Sequence, residues 1–197
     1  MAAQGLAGLI AEQPFHVHAT HLTLSRPAMH ILHTPRCTLE PLMAAHAEAM
    51  FAVLSDPAIY EFENAPPTSL QRLHQRYHRL ESRCAPDGSA QWLNWALRLP
   101  NGALAGVVQA TVLRSGAALV AYELASAFWR QGIASAALAQ FLTVVTTRPL
   151  FASVAKHNLG SLRVLQKCGF QISGEDTFRY TPDSEPGEEF ILTLAIP

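Results

Sequence analysis

The chain predicts one α/β (α+β) domain, with two helices and a hairpin-linked trio of strands in its first part and alternating helix, strand, helix and strand in its second. Three observations carry this. The 197 residues are 49% hydrophobic and 15% charged, the size and composition of a single domain able to bury its own core. Tight-turn chemistry at Pro100-Asn101-Gly102 and Arg114-Ser115-Gly116 separates three strand-like runs, which makes them a consecutive antiparallel meander. Beyond that meander the apolar spacing changes from the period of a strand to that of a helix at Gly132, and again at Asn158.

The elements follow in order. Arg36 to Leu42 alternates as a first strand whose end is set by Pro41. Ala47, Met50, Phe51 and Leu54 stand at i, i+3, i+4 and i+7, one apolar helix face that stops before Asp56-Pro57. A second helix opens near Thr68 or Ser69, where a hydroxyl can cap free N–H groups, and carries the stripe Leu70, Leu73, Tyr77 and Leu80. Its other faces present Arg72, Arg76 and Arg79. The meander comprises Trp92–Leu99, Ala103–Leu113 and Ala117–Ala125. A long helix from Gly132 to about Val145, a strand Leu150–Val154, a short helix Leu159–Cys168 and strands near Gln171 and at Phe190–Ala195 complete the chain. Residues 1–30 read as an N-terminal extension, Ala-rich, then His-bearing and expected to be poorly ordered, ahead of a domain at 31–197.

Composition excludes several classes. Fourteen basic residues balance fifteen acidic ones for a net charge of -1, so no field draws the chain to nucleic acid or anionic lipid. No apolar run approaches the roughly 18 residues of a membrane span, and the start lacks the pattern of a signal peptide; a cytoplasmic protein is the expectation. Cys37, Cys84 and Cys168 show no paired spacing and are expected as ordinary thiols. The N-terminal histidines lack carboxylate or thiolate partners at useful spacing, so no metal is expected.

The chemistry gathers in two clusters. Binding a pyrophosphate takes several converging N–H donors, which a helix N-terminus supplies along with the positive end of its dipole. Trp129-Arg130-Gln131-Gly132-Ile133-Ala134-Ser135 offers this: Gly132 permits close approach, and Ile133, Ala137, Phe141 and Val144 continue as a helix face. The phosphate-loop and dinucleotide-binding glycine motifs are both absent. The second cluster, Asn158 to Phe170, is a helix that Asn158 can cap and Gly169 can end; taken alone it is equally a structural element.

Together the clusters resemble the GNAT superfamily, in the branch similar to the ribosomal-protein N-acetyltransferases. Ala121-Tyr122-Glu123-Leu124 resembles that branch's G-Y-x-L strand end, Trp129 to Ser135 its W-G-x-G-x-A-[ST] turn, and Asn158 to Phe170 its N-x-x-S-x-R-V-L-x-K-x-G-F segment. Arg36 to Leu42 is similar to its opening strand, and the likeness covers about residues 31–195. Departures are Arg130 where glycine is usual, Ala136 where a glutamate often follows, and Cys37 and Glu40 within the opening strand.

The resemblance implies a mixed central sheet of six to seven strands flanked by about four helices. Two parallel strands, Val120–Ala125 and Leu150–Val154, would splay around the thioester end of acetyl-CoA. It further implies direct acetyl transfer to a primary amine, a protein N-terminus or a small molecule, without metal. The Leu124 N–H becomes the candidate oxyanion donor, Ala125 and Ser126 line the pantetheine, and Arg130, Gln131, Gly132, Ile133, Ala134 and Ser135 hold the phosphates. Asn158 would bond the pantetheine amides, and Ser161 would protonate the departing thiolate or merely pack at the helix start. Glu123 is the candidate base, unless alternation turns it to solvent. Tyr122 is expected in the core. The acceptor is expected near the two N-terminal helices, Glu61-Phe62-Glu63-Asn64 and the loop 175–188, with Glu61, Glu63, Glu185, Glu188 and Glu189 favouring a cationic amine and His157 close by. A monomer or homodimer fits. The alternatives are a catalytically silent acyl-CoA sensor of the same fold and an interaction protein presenting the second helix's arginines.

Overall fold

A computed structural model of the chain describes residues 27–62, 65–178 and 187–195. Its elements are β1 (Leu32–His33), β2 (Thr38–Pro41), α1 (Ala47–Val53), α2 (Leu70–Leu80), β3 (Ala90–Arg98), β4 (Leu104–Leu113), β5 (Ala118–Leu124), α3 (Ile133–Phe141), β6 (Leu150–Ala155), α4 (Leu159–Lys167), β7 (Gln171–Phe178) and β8 (Gly187–Leu194). The strands form one sheet in the order β1-β2-β3-β4-β5-β6-β8-β7. This is the expected mixed α/β fold, with eight strands where six to seven were expected; the two-residue β1 pairs Leu32 with Leu39 at one edge. Most of the N-terminal extension lies outside the described residues. From Pro27 onward the chain touches the domain: the Pro27 carbonyl accepts from Arg83 at 3.0 Å, and the His30 carbonyl from the Trp95 indole at 2.9 Å.

Every strand pair is antiparallel except β5–β6. The meander β3–β4–β5 keeps long registers, because its turns are short and its strands bury apolar side chains on both faces. Helices cover both faces. On one, α3 and α4 bury Ile133, Leu138, Phe141 and Leu165 against Val108, Ala110, Val120, Leu150 and Val154. On the other, α1 and α2 bury Met50, Leu54, Leu73 and Tyr77 against Ala96, Leu104 and Val107. At roughly 1.5–3 kcal/mol per fully buried large apolar side chain, these two layers supply the driving force for folding.

The third helix is shorter than its apolar spacing predicts. It ends at Phe141 rather than near Val145. Thr143 turns its hydroxyl onto the Gln140 carbonyl (2.7 Å), and a run of β-branched residues leads into the Arg148-Pro149 peptide, which takes the chain into β6. Val145 is still buried, so its place in the apolar pattern reflects packing rather than helix. Glu40, out of pattern for the opening strand, is matched from across the sheet: Arg98 donates through Nε and a terminal nitrogen to its two oxygens (2.6 and 2.8 Å), and His46 lies 3.2 Å from one of them.

Candidate functional site

The site begins where the sheet fails to close. β5 and β6 run parallel but pair only at Ala118↔Leu150 and Leu119↔Phe151; beyond these rungs β5 continues to Leu124 and β6 to Ala155 without pairing. Backbone alternation decides what faces that gap. Ala125 donates to the Ala105 carbonyl (2.9 Å), which turns it toward β4, so Leu124, its neighbour, directs its N–H and carbonyl the other way. Two bonds on the same alternation agree: Ala118 donates to Pro149 at 3.1 Å, and the Leu124 carbonyl accepts from the Trp129 indole at 2.7 Å.

Gly106 lets β4 approach β5 at this level, since a Cβ there would stand 2.0 Å from the Glu123 carbonyl oxygen. Next to Leu124, the backbone N–H groups of Ala125 and Ser126 are committed within the chain. Ser126 donates to the Asp56 carboxylate at 2.7 Å, and the other Asp56 oxygen caps the turn at Pro57–Glu61 by accepting from Ala58 at 3.0 Å. The bond from Ser126 holds the Asp56 carboxyl below its ordinary range, with the Ala58 bond adding to it.

The turn that follows has two left-handed residues, Arg130 with φ 59° and Gly132 with φ 74°. That explains why an arginine at the first of them is out of pattern: the conformation costs a side-chain-bearing residue on the order of 1 kcal/mol. Gly132 is the N-cap of α3 and uses no side chain, leaving the first-turn N–H groups of Ile133, Ala134 and Ser135 clear for an anion. Arg36 completes the turn, for a Cβ on Gly132 would stand 3.2 Å from its Nε and 3.5 Å from its Cζ. Sequence reasoning placed Arg36 only as the start of a strand; nothing in its spacing tells of a guanidinium against Gly132. Two left-handed residues, a helix N-terminus and two cations, Arg36 and Arg130, fit a pyrophosphate.

Across the gap, Asn158 caps α4 by accepting from the Ser161 N–H at 3.0 Å. The Ser161 hydroxyl faces β5: the Tyr122 hydroxyl lies 2.7 Å from Ser161 Oγ and 3.2 Å from the Ser161 carbonyl. Tyr122 does pack against the larger core, as expected, while its hydroxyl spans to α4. Burial keeps that phenol protonated well beyond its usual range, the Ser161 bond opposing it.

Glu123 takes the opposite face from Tyr122 and is half-buried rather than turned to solvent. Its rung partner is Val107, itself paired with Ala96, and both belong to the smaller core beneath α1 and α2. Burial raises its carboxyl above the ordinary value, offset in part by the charge of Arg76. The same sheet face carries Ser153 and Glu189 farther on, and burial also raises Glu189, Ser153 opposing and Asp176 reinforcing.

Other residues expected at the acceptor side divide. Glu175 and Glu188 are not loop carboxylates: they stand on β7 and β8 and flank Lys156, whose Nζ lies 2.6 and 3.5 Å from them, so the two share one cation. Glu61 is exposed. Glu63, Asn64 and Glu185 lie outside the described residues. Phe62 packs between Trp129 (ring centroids 6.4 Å) and His157 (5.3 Å), joining the N-terminal helical segment to the turn and to the start of α4.

Comparisons with known proteins agree with this fold. The family model described as an acetyltransferase (GNAT) domain matches residues 36–171. Among curated proteins no sequence match is found. Solved structures share the fold at low identity. The microcin C7 self-immunity acetyltransferase MccE, solved with acetyl-CoA and AMP, is 15% identical with a TM-score of 0.71 over 83% of this chain and 94% of its own. The acetyltransferase from Salmonella typhimurium that modifies the N-terminal serine of ribosomal protein L7/L12 is 16% identical with a TM-score of 0.71, covering 85% of this chain and 100% of its own. A GNAT-family acetyltransferase from Bacillus anthracis is 14% identical with a TM-score of 0.66, over 84% and 98%. With a splayed β5–β6 pair, a glycine-capped helix after it and a family model spanning most of its length, this chain belongs to the GNAT acetyltransferase family.

Proposed function

We propose that the chain is an N-acetyltransferase that takes the acetyl group of acetyl-CoA and transfers it directly to a primary amine. The observation that carries this reading is the open wedge between β5 and β6, with the Leu124 N–H directed into it. When bound, acetyl-CoA supplies an electrophilic thioester carbonyl, and the residues around the wedge act on it in order. Arg130, Gln131, Gly132, Ile133, Ala134 and Ser135, with Arg36, hold the phosphates through N–H groups and charge. Ala125, Ser126 and Asn158 line the pantetheine arm. The Leu124 N–H donates to the carbonyl oxygen as negative charge develops there.

Glu123, across the sheet from the hydroxyl pair, takes the proton of the incoming amine; its raised carboxyl suits a base working near neutral pH. Ser161, backed by Tyr122, gives a proton to the departing sulfur. Attack on the carbonyl carbon forms the C–N bond, the C–S bond breaks, and the proton lost by nitrogen is matched by one gained by sulfur. No thiol nucleophile is invoked: Cys168 is half-buried and its thiol is raised by that burial, not activated.

The acceptor is a protein N-terminus or a small-molecule amine; the Salmonella enzyme of the same fold acts on an N-terminal serine. Acetyl-CoA and a panel of such amines, with release of free thiol followed continuously, test the reading. Thiol release tied to one amine class supports it. Tight coenzyme A binding without turnover on any acceptor replaces it with the acyl-CoA sensor. No helix of the described residues is long and apolar enough to cross a membrane, and a cytoplasmic monomer or homodimer is the working assignment.

A further inference from the structure

The smaller core holds a polar anomaly. Among the described residues, two buried side-chain atoms have no hydrogen-bond partner, the Tyr77 hydroxyl and Asn94 Nδ2, in residues only 3% and 5% exposed. Leaving a buried polar group unpaired is destabilising, and a phenylalanine or a leucine would avoid the cost. Their positions are related. Ala96, Val107 and Glu123 form one row across β3, β4 and β5, and Asn94, Gln109 and Ala121 form another two residues along, on the same face. Tyr77 descends from α2 into the cluster that contains Ala96 and Val107. The two orphaned polar groups thus stand on the same sheet face as the half-buried Glu123.

We propose that Tyr77 and Asn94 are positioning residues for Glu123, their buried donors holding its carboxylate, directly or through one enclosed water, in the orientation that receives the acceptor amine. The inference rests on Glu123 serving as the base. An O–H and an N–H both complement a carboxylate, and charge-assisted bonds to the ionised form are about twice as strong as bonds to the neutral acid, so both donors favour the ionised base. The titratable and charged groups around Glu123 are Arg76 and Tyr77, both from α2, and Tyr60 next to Tyr77. Arg76 favours the ionised carboxylate and is exposed; Tyr77 and Asn94 are the enclosed donors of that face. As C–N bond formation releases the amine's proton, Glu123 takes it, and the bonds from the two donors weaken with the loss of its charge.

The experiment is a carboxyl-carbon NMR titration of the full chain without substrates, the Glu123 signal being assigned by its loss in Glu123→Gln. Tyr77→Phe, which keeps the ring and removes only the oxygen, is expected to move the Glu123 titration upward by about one pH unit. Asn94→Leu is expected to move it in the same direction. An unmoved titration in a folded Tyr77→Phe protein, checked by its melting transition, overturns the proposal. Acetyl transfer tests the underlying reading separately. Full activity in Glu123→Gln removes Glu123 as the base, whereas loss in Glu123→Gln with an unmoved titration in Tyr77→Phe removes only the role given to Tyr77.

Discussion

The Tyr122 hydroxyl stands 2.7 Å from Ser161 Oγ, so a side chain of β5 and one of α4 meet across the mouth of the wedge that separates β5 from β6. A phenol that also reaches the Ser161 carbonyl fixes where the serine hydroxyl points. Ser161→Ala is expected to lower kcat by about 10²-fold, the low end for a general acid, with little change in KM for acetyl-CoA. Tyr122→Phe is expected to cost less, since the serine hydroxyl survives without its support. Steady-state thiol release measures both, and a Ser161→Ala protein working at the wild-type rate assigns the pair to helix docking alone.

Gly132→Ala meets two obstacles at once. A Cβ there lies 3.2 Å from Arg36 Nε, and a φ of 74° is strained for any side chain. With Arg36 displaced and the turn shifted to accommodate the new Cβ, coenzyme A affinity is expected to fall about tenfold, one decade per 1.4 kcal/mol. Isothermal calorimetry checks it, with Arg36→Ala as companion. Equal affinity in both variants removes Arg36 and the turn from the phosphate site.

Asp56 ties the first helical segment to the end of β5. Asp56→Ala is expected to destabilise the fold by about 1–2 kcal/mol, the scale of a lost cap and a lost charge-assisted bond. The sign of its pH dependence follows from the lowered carboxyl: the stabilisation is present above the unfolded carboxylate's pKa and is lost as pH falls through the folded one. Urea unfolding of wild type and variant should therefore converge on acidification, whereas a gap that stays constant into acid assigns the loss to packing instead of charge.

Glu123 has the opposite sign. Burial raises its carboxyl, so the fold bears no penalty from it below the unfolded pKa and loses stability as pH rises through the window up to the folded one. Glu123→Gln is expected to match wild type in acid and exceed it in stability near and above neutral pH, while losing acetyl transfer. Paired urea titrations at several pH values check it, and a stability difference that does not vary with pH contradicts the burial of an ionisable group there.

Much of the architecture is local and hence readable. The period-two runs around Pro100-Asn101-Gly102 and Arg114-Ser115-Gly116 became β3, β4 and β5 within a residue or two, because strand period and turn chemistry are decided over a few residues. Ser69 caps α2 through a 3.2 Å bond from Arg72, and Asn158 caps α4, as short-range spacing requires. Where burial rather than local preference wrote the pattern, the reading overran, as at Val145.

The glycine turn was legible because Gly132, the helix face after it and the Asn158 segment are fixed by order along the chain. The sequence alone carried the fold class, the glycine turn before α3 and the identity of Glu123, Leu124 and Ser161 as chemistry-bearing candidates. Only the tertiary structure decided which residues share a site. Arg36 against Gly132, Asp56 on Ser126, Tyr122 on Ser161, and Tyr77 and Asn94 on the Glu123 face are all pairings of residues distant in sequence. The physical reason is that a hydrogen bond or a buried charge is a property of distance and dielectric, and those exist only once β5 and β6 have parted and the helices have closed over both faces of the sheet.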